Sequence, residues 1–152
     1  MLYISCIVLI FSVISSCATQ KQKQQDAIIN YINKNFKNIN KEKENCIFII
    51  SENGCTGCNK GLSKIACQFI DMNNIYFIIN AKGTIVDISP YWEAKRQENI
   101  SYDTTNYFNN NALNYSYAIF VKNNEVDTII ESTAEDFIEK SKYIEQRIIK
   151  NK

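Results

Sequence analysis

Two cysteines, Cys55 and Cys58, stand three residues apart, just before a run of apolar residues at helical spacing. At the start of a helix, cysteines with this spacing have their sulfur atoms within disulfide reach. The N–H groups of the first turn have no partner inside the helix, and they stabilise a thiolate on the first cysteine. Because Cys58 would share a helix face with Leu62 and Ile65, it should be the more buried sulfur. We therefore expect a redox pair in which Cys55 attacks and Cys58 resolves.

Two other roles for the pair remain open. One is a non-catalytic disulfide, although structural bridges more often close long loops, since a longer loop removes more entropy from the unfolded chain. The other is zinc binding, which would require two more ligands. Cys46 and Cys67 are the available thiols, but Cys67 would lie about 180° around the helix from Cys58. We therefore expect no metal and no other cofactor.

The thiols of Cys46 and Cys67 are expected to lie in the hydrophobic core. Small thiols of this kind usually fill a core, and we favour that over a second disulfide. The adjacent aromatic residues Tyr91 and Trp92 also suit a core, the alternative being that they line a groove beside Cys55. We therefore assign no chemistry to these four residues.

The composition argues against several classes of function. The 152-residue chain has 17 basic and 16 acidic residues, a formal net charge of +1 and no histidine. Because no cluster of basic residues is present to neutralise phosphates, we expect no nucleic-acid partner. Without histidine, neither a Ser-His nor a Cys-His nucleophile can form. Chemistry by this chain must use cysteine, carboxylates or lysine.

The first residues predict export and a lipid anchor. Residues 2–14 are almost continuously apolar and a polar stretch begins at Thr19, which is typical of a secretory signal peptide. The junction, ISSC at residues 14–17, resembles the lipobox of bacterial lipoproteins. In that family the cysteine carries the lipid. The resemblance implies that residues 1–16 are removed and that Cys17 anchors the chain to a membrane of the cell envelope, with the domain outside the cytoplasm.

The alternative is an uncleaved membrane helix. The apolar run is at or below the roughly 17 to 25 residues that cross a bilayer. Because Lys21 and Lys23 follow the run, the positive-inside rule would then keep the domain in the cytoplasm. We favour the lipoprotein, and we assign residues 17–25 to the lipidated cysteine with a flexible spacer and residues 26–152 to one folded domain.

Periodicity predicts alternating helices and strands within the domain. Helical segments have apolar residues three and four apart, whereas the strands are short continuous apolar runs, typical of strands buried on both faces. Asn123 and Asn124 tolerate positive φ and suit a hairpin turn. Ser132 and Glu135 form a capping box. The predicted segments are helix 26–39, strand 46–50, helix 58–70, strand 75–79, strands 117–121 and 126–130, and a closing helix that buries Phe137, Ile138, Ser141, Ile144 and Ile148.

Residues 81–115 are harder to assign. Residues 84–89 either form a strand or lead into one, Pro90 breaks the chain, and residues 106–114 have the composition of a loop or a poor helix. The strand-helix-strand unit over residues 46–79 predicts a right-handed parallel crossover. Helices before and after the sheet cover both of its faces. The sequence therefore predicts an α/β fold, a three-layer α/β/α sandwich with a central mixed sheet.

The order strand, short turn, CxxC and helix, followed by a strand and a late hairpin with the sequence FVKNNEV, resembles the thioredoxin superfamily. The resemblance covers residues 26–150. Membrane-tethered members similar to the TlpA and ResA group act outside the cytoplasm as thiol–disulfide oxidoreductases, which agrees with a lipid anchor. It implies a thioredoxin-like fold with Cys55 as nucleophile and Cys58 as resolving residue. It also implies protein thiols or disulfides as substrates and a membrane thiol reductase as electron donor.

Several positions depart from the pattern of that family. Gly54 replaces a common Trp, Thr-Gly replaces Gly-Pro between the cysteines, Asn59 replaces a basic residue and Ile49 replaces a buried acid. Ser116 aligns with the cis-proline that faces the cysteine pair and shapes the substrate groove. We expect a trans bond there, because a cis non-proline bond costs about 3 kcal/mol or more. Ser116 motivates a second interpretation. In this one, the chain is a non-catalytic lipoprotein of the same fold that binds or holds a partner, and its disulfide only stiffens the domain.

Overall fold

The computed structural model describes residues 20–111 and 113–151. The predicted leader and Cys17 lie outside the described residues. Within them the chain forms the helices α1 (residues 20–35), α2 (Thr56–Gln68), α3 (Ser89–Glu93), α4 (Tyr107–Asn110) and α5 (Phe137–Lys150), the strands β1 (Asn45–Ser51), β2 (Ile75–Asn80), β3 (Ile100–Tyr102), β4 (Tyr117–Lys122) and β5 (Glu125–Glu131), and a 3-10 turn at Gln97–Asn99.

The strands form one mixed sheet in the order β3-β2-β1-β4-β5. β1 is parallel to β2 and antiparallel to β4, while β2 is parallel to β3 and β4 is antiparallel to β5. Phe48 and Phe77 pack in a core with side chains of α2 and α5, whereas Ile47 and Ile78 pack in a second core with side chains of α1. Every residue of β1 is buried, because helices cover both faces of the sheet. The predicted three-layer α/β/α sandwich is confirmed, and its strand order is compatible with a thioredoxin-like fold.

Helix α1 begins six residues earlier than the sequence predicts, at residue 20 instead of 26. Residues 20–25 are helical, so their assignment to a flexible spacer is wrong. Gln and Lys are good helix formers, and a solvent-exposed turn needs no apolar periodicity. Gln22 also donates a hydrogen bond to Asp26, one turn later, at 2.9 Å. The helix ends at residue 35 rather than 39, although Ile39 still packs against the core.

The segment 81–115 contains short helices and the edge strand β3. Residues 84–89 do not form a strand, and Pro90 lies in the first turn of α3, where its missing N–H is not needed. Helix α4 accounts for four residues of the predicted poor helix over residues 106–114. The sequence does not predict β3, because three residues are too few to show a period.

The predicted hairpin turn between β4 and β5 is confirmed. Asn123 and Asn124 have φ angles of 53° and 62°, in the left-handed region that asparagine tolerates. Lys122 and Glu125 pair across the turn, so the register is the one expected of a two-residue loop.

The predicted capping box before the last helix is wrong. Helix α5 begins at Phe137, and neither Ser132 nor Glu135 caps it. The N–H of Ser132 instead donates to the carbonyl oxygen of Ser116 at 3.0 Å, so this serine continues the pairing between β5 and β4. Ile138 is 71% exposed, whereas the other apolar side chains predicted for this helix face pack in the core.

Candidate redox site

The segment between β1 and α2 carries the cysteine pair. Cys55 is exposed and is the N-cap residue of α2, with φ −71° and ψ 106°. Cys58 lies in the first turn and is only 4% exposed. The two residues form a disulfide, with their Cα atoms 5.3 Å apart. The predicted arrangement of an exposed first sulfur and a buried second sulfur at the start of a helix is confirmed.

The first turn of α2 is capped by the Cys55 sulfur. The N–H of Cys58 donates to Cys55 Sγ at 3.3 Å, in the manner of a side-chain helix cap. Once the disulfide opens, the same N–H and the helix dipole stabilise a thiolate at that atom. The thiolate is the reactive form of cysteine, and Cys55 is the sulfur that another molecule can reach. Cys58 is buried, and Cys55 is the cysteine to which it is bonded.

Gly54, the residue before Cys55, is in contact with the ring of Tyr115. Gly54 has a φ of +81°, a backbone conformation that residues with a Cβ adopt only at a cost. The ring of Tyr115 packs directly against the Cα of Gly54. A Cβ at position 54 would overlap Cδ1 and Cε1 of that ring. Glycine is therefore required at position 54. Tyr115 remains 41% exposed, and nothing in the sequence signals its contact with a residue 61 positions earlier.

Ser116 lies just before β4 and beside the end of β1. Its side chain is fully buried, and its Oγ accepts a hydrogen bond from Ser51 N at 2.9 Å and donates one to Ser51 O at 3.2 Å. The described residues contain no cis peptide bond, so the predicted trans bond at Ser116 is confirmed. The Ser116 hydroxyl bonds to both main-chain groups of Ser51, where a paired strand would offer its own backbone groups. It thereby fixes the end of β1, the strand that leads to Cys55.

Glu52 ties the loop before Cys55 to the loop after β2. Its carboxylate accepts hydrogen bonds from the N–H groups of Lys82, Ile85 and Val86 and from the hydroxyl of Thr84, at distances of 2.8 to 3.3 Å. Burial by itself raises the pKa of a carboxyl group, but these bonds outweigh it and lower the pKa of Glu52 to about 2. Sequence reasoning missed this residue, because its partners lie 30 or more positions away.

Asn59 supports the same loop from inside the helix. It is fully buried, and its Nδ2 donates to the carbonyl oxygen of Asn53 at 2.6 Å. A charged side chain at this buried position would require a partner that the surrounding core does not supply. The amide therefore holds the backbone two residues before Cys55.

The other two cysteines among the described residues are not bonded to the pair. Cys46 is a free thiol in the core, as predicted, and Cys67 is a free, half-buried thiol packed against the same core. Burial raises the pKa of both thiols, which keeps them protonated and unreactive near neutral pH. Within the described ranges, no group of three or more His, Cys, Asp or Glu side chains is arranged to hold a metal ion.

The two adjacent aromatic residues have different environments. Tyr91 is fully buried, and its hydroxyl lies 2.9 Å from Ser63 Oγ in α2. Trp92 is 62% exposed, so its assignment to the core is wrong. Neighbouring positions of a single-turn helix point in different directions, and only one of the two side chains can face the sheet.

No protein-family model, characterised protein or solved structure matches the chain. Among residues 20–111 and 113–151, no helix combines the length and the apolar character needed to cross a bilayer.

Proposed function

We propose that this chain is a thioredoxin-like thiol–disulfide oxidoreductase that uses Cys55 as nucleophile and Cys58 as resolving residue. The observation that carries the proposal is the asymmetry of the pair. Cys55 is exposed and its Sγ accepts the Cys58 N–H at the start of α2, whereas Cys58 is buried in the first turn behind it. A bridge that served only stability would gain little from closing so short a loop. A pair with one reachable and one shielded sulfur is suited to exchange.

The proposed exchange has two steps. The Cys55 thiolate attacks one sulfur of a protein disulfide, which forms a mixed disulfide and releases the other sulfur as a thiolate that takes up a proton. Cys58 then loses its proton and attacks Cys55 Sγ, releasing the second substrate thiol and leaving the Cys55–Cys58 disulfide. Two electrons pass from the dithiol to the substrate. The reverse sequence oxidises a dithiol, and a membrane thiol reductase is the proposed donor that restores the reduced pair.

Replacing Cys58 with serine should arrest the exchange at the mixed disulfide, because no resolving thiol remains. Full-length Cys58→Ser protein, acid-quenched in cells and separated without reductant, is expected to run as covalent complexes that disappear on reduction. The matched control is Cys58→Ser with Cys67→Ser, which keeps the complexes because Cys67 takes no part. Complexes that persist when Cys55 is also replaced would refute the assignment of the nucleophile, and their complete absence would refute exchange with protein partners.

We also propose that the chain is exported and anchored to a membrane of the cell envelope through a lipid on Cys17, with the domain outside the cytoplasm. The support is the apolar leader and the ISSC junction. Mass analysis of the mature protein is expected to find a chain that begins at an acylated Cys17, and Cys17→Ser is expected to remove the acyl mass. A mature chain that still begins at Met1 without a lipid would contradict the anchor.

A second candidate is a non-catalytic binding or scaffold module. The observation that favours it is the buried Ser116 hydroxyl, which is committed to both main-chain groups of Ser51 at the position where the related family shapes its substrate groove. In this alternative the disulfide only stiffens the segment between β1 and α2. It requires that variants of Cys55 and Cys58 keep the biological function of the parent chain.

A further inference from the structure

A polar cleft opens beside the cysteine segment. Its volume is about 670 Å³, and its lining includes Asn53, Asn80, Tyr102, Asn106 and Asn109. These residues follow the carboxyl ends of β1, β2 and β3, which is the edge where sheets of this type bind their ligands. A larger cavity, of about 800 Å³, lies at the amino ends of the same strands, and Asn53 is not part of its lining. Neither cysteine of the pair lines the cleft or this cavity, and the cleft adjoins the cysteine segment through Asn53.

Three amide side chains in the cleft are held together by hydrogen bonds. Asn109 Oδ1 accepts from Asn53 Nδ2 at 3.4 Å and from Asn80 Nδ2 at 3.2 Å. Each amide has more bonding capacity than these contacts use. In the described part of the chain no further side chain or backbone group bonds to Asn109 Nδ2 or to the Oδ1 atoms of Asn53 and Asn80. The cleft therefore presents both amide donors and amide acceptors to whatever enters it.

The charged groups of the cleft are largely engaged. The Glu52 carboxylate is bonded to the loop after β2, and the Asp103 carboxylate accepts from the backbone N–H groups of Thr105, Tyr107 and Phe108. The rest of the polar lining is mainly neutral amides, with the exposed side chain of Lys82 as a further charged group and the ring of Tyr102, which is 38% exposed. Because amides outnumber the other available polar groups, a ligand that offers alternating uncharged donors and acceptors fits this lining. The main chain of an extended polypeptide has that pattern.

Asn53 connects the cleft to the chemistry. It is two residues before Cys55, and its carbonyl oxygen is fixed by the buried amide of Asn59. We propose that the cleft binds the main chain of the substrate polypeptide next to its reacting sulfur, so that residues flanking the substrate cysteine are held by Asn53, Asn80 and Asn109. The inference rests on the proposed oxidoreductase function. It adds that recognition depends on peptide groups, so many flanking sequences are accepted.

The test compares two substrates with full-length reduced protein. One is a synthetic peptide disulfide whose cysteines are flanked by alanine and serine, and the other is bis(hydroxyethyl) disulfide, which has no peptide groups. Asn109→Ala is expected to lower the ratio of kcat/KM for the peptide to kcat/KM for the small disulfide about tenfold, the effect of losing one or two hydrogen bonds. Asn110→Ala is the matched control, because Asn110 is exposed on the same short helix outside the cleft.

The outcomes separate this inference from the function on which it rests. An unchanged ratio in Asn109→Ala, with a parent chain that reduces both substrates, would overturn the cleft assignment and leave the oxidoreductase intact. A parent chain that reduces neither substrate would overturn both. Asn53→Ala provides a second variant if Asn109→Ala folds poorly, because Asn53 is exposed. It is expected to lower the same ratio, and an unchanged ratio there has the same meaning.

Discussion

The Cys55→Ser variant is expected to reduce a peptide disulfide at least about 10³-fold more slowly than the parent, because a serine hydroxyl is not ionised near neutral pH and is a far weaker nucleophile. The fold should survive the change. Cys55 is the N-cap residue of α2, and serine is among the residues preferred there, so its hydroxyl can accept the Cys58 N–H in place of the sulfur. Loss of rate is therefore attributable to loss of the thiolate. Stopped-flow or coupled measurement of peptide reduction by the full-length protein gives the rate.

The matched control for this variant is Cys67→Ser, which removes a free thiol from the other side of α2 without touching the pair. It should reduce the peptide at nearly the parental rate. Equal rates for the parent and Cys55→Ser would contradict the oxidoreductase and favour the binding module. Loss of rate in Cys67→Ser, with the fold preserved, would place the reacting thiol elsewhere than at Cys55.

Glu52→Gln is expected to lower the free energy of unfolding by about 1.5 kcal/mol at neutral pH, since hydrogen bonds to a charged group are worth more than bonds to an amide, and solvent access reduces the difference. The effect should depend on pH in a defined direction. The folded chain lowers the pKa of Glu52 from 4.5 to about 2. The ionised carboxylate therefore adds stability above pH 4.5, and this contribution is lost as the pH falls toward 2.

Urea unfolding of the parent and of Glu52→Gln at a series of pH values measures this effect. The two curves should differ most at neutral pH and converge as the pH is lowered from about 4.5 toward 2. Glu135→Gln serves as the control, because Glu135 is exposed and its side chain makes no hydrogen bond within the described residues. A difference for Glu52→Gln that matches this control, or that stays constant with pH, would show that the carboxylate does not fasten the two loops.

The parts of the fold that could be predicted are those set by local pattern. The continuous apolar residues of β1 and the helical spacing of apolar residues after Cys58 place the cysteine pair at a strand-to-helix junction. Each of these patterns can be recognised within about a dozen residues of sequence. The Asn123–Asn124 turn is equally local, because asparagine tolerates the positive φ that a tight hairpin needs. From these elements the layer order, and the difference in exposure between the two sulfurs, follow directly.

The remaining features depend on contacts between distant residues. The hydroxyl of Ser116 binds Ser51, which is 65 positions away, and the guanidinium of Arg147 binds the Glu44 carboxylate from 103 positions away. A single polar residue shows no periodicity along the sequence. Its hydrogen-bond partner therefore depends on how the sheet is packed, and not on the residues next to it in the chain. The capping box at Ser132 fails for the same reason, since pairing with β4 takes precedence over the local motif.

Thiol alkylation in intact cells, followed by mass analysis of the full-length protein, shows whether Cys55 and Cys58 cycle between dithiol and disulfide. We expect Cys55 and Cys58 to gain alkyl groups together in part of the population. That fraction should rise after a pulse of dithiothreitol and fall again when the reductant is removed. A pair that stays fully oxidised, or fully alkylated, before, during and after the pulse would contradict the account.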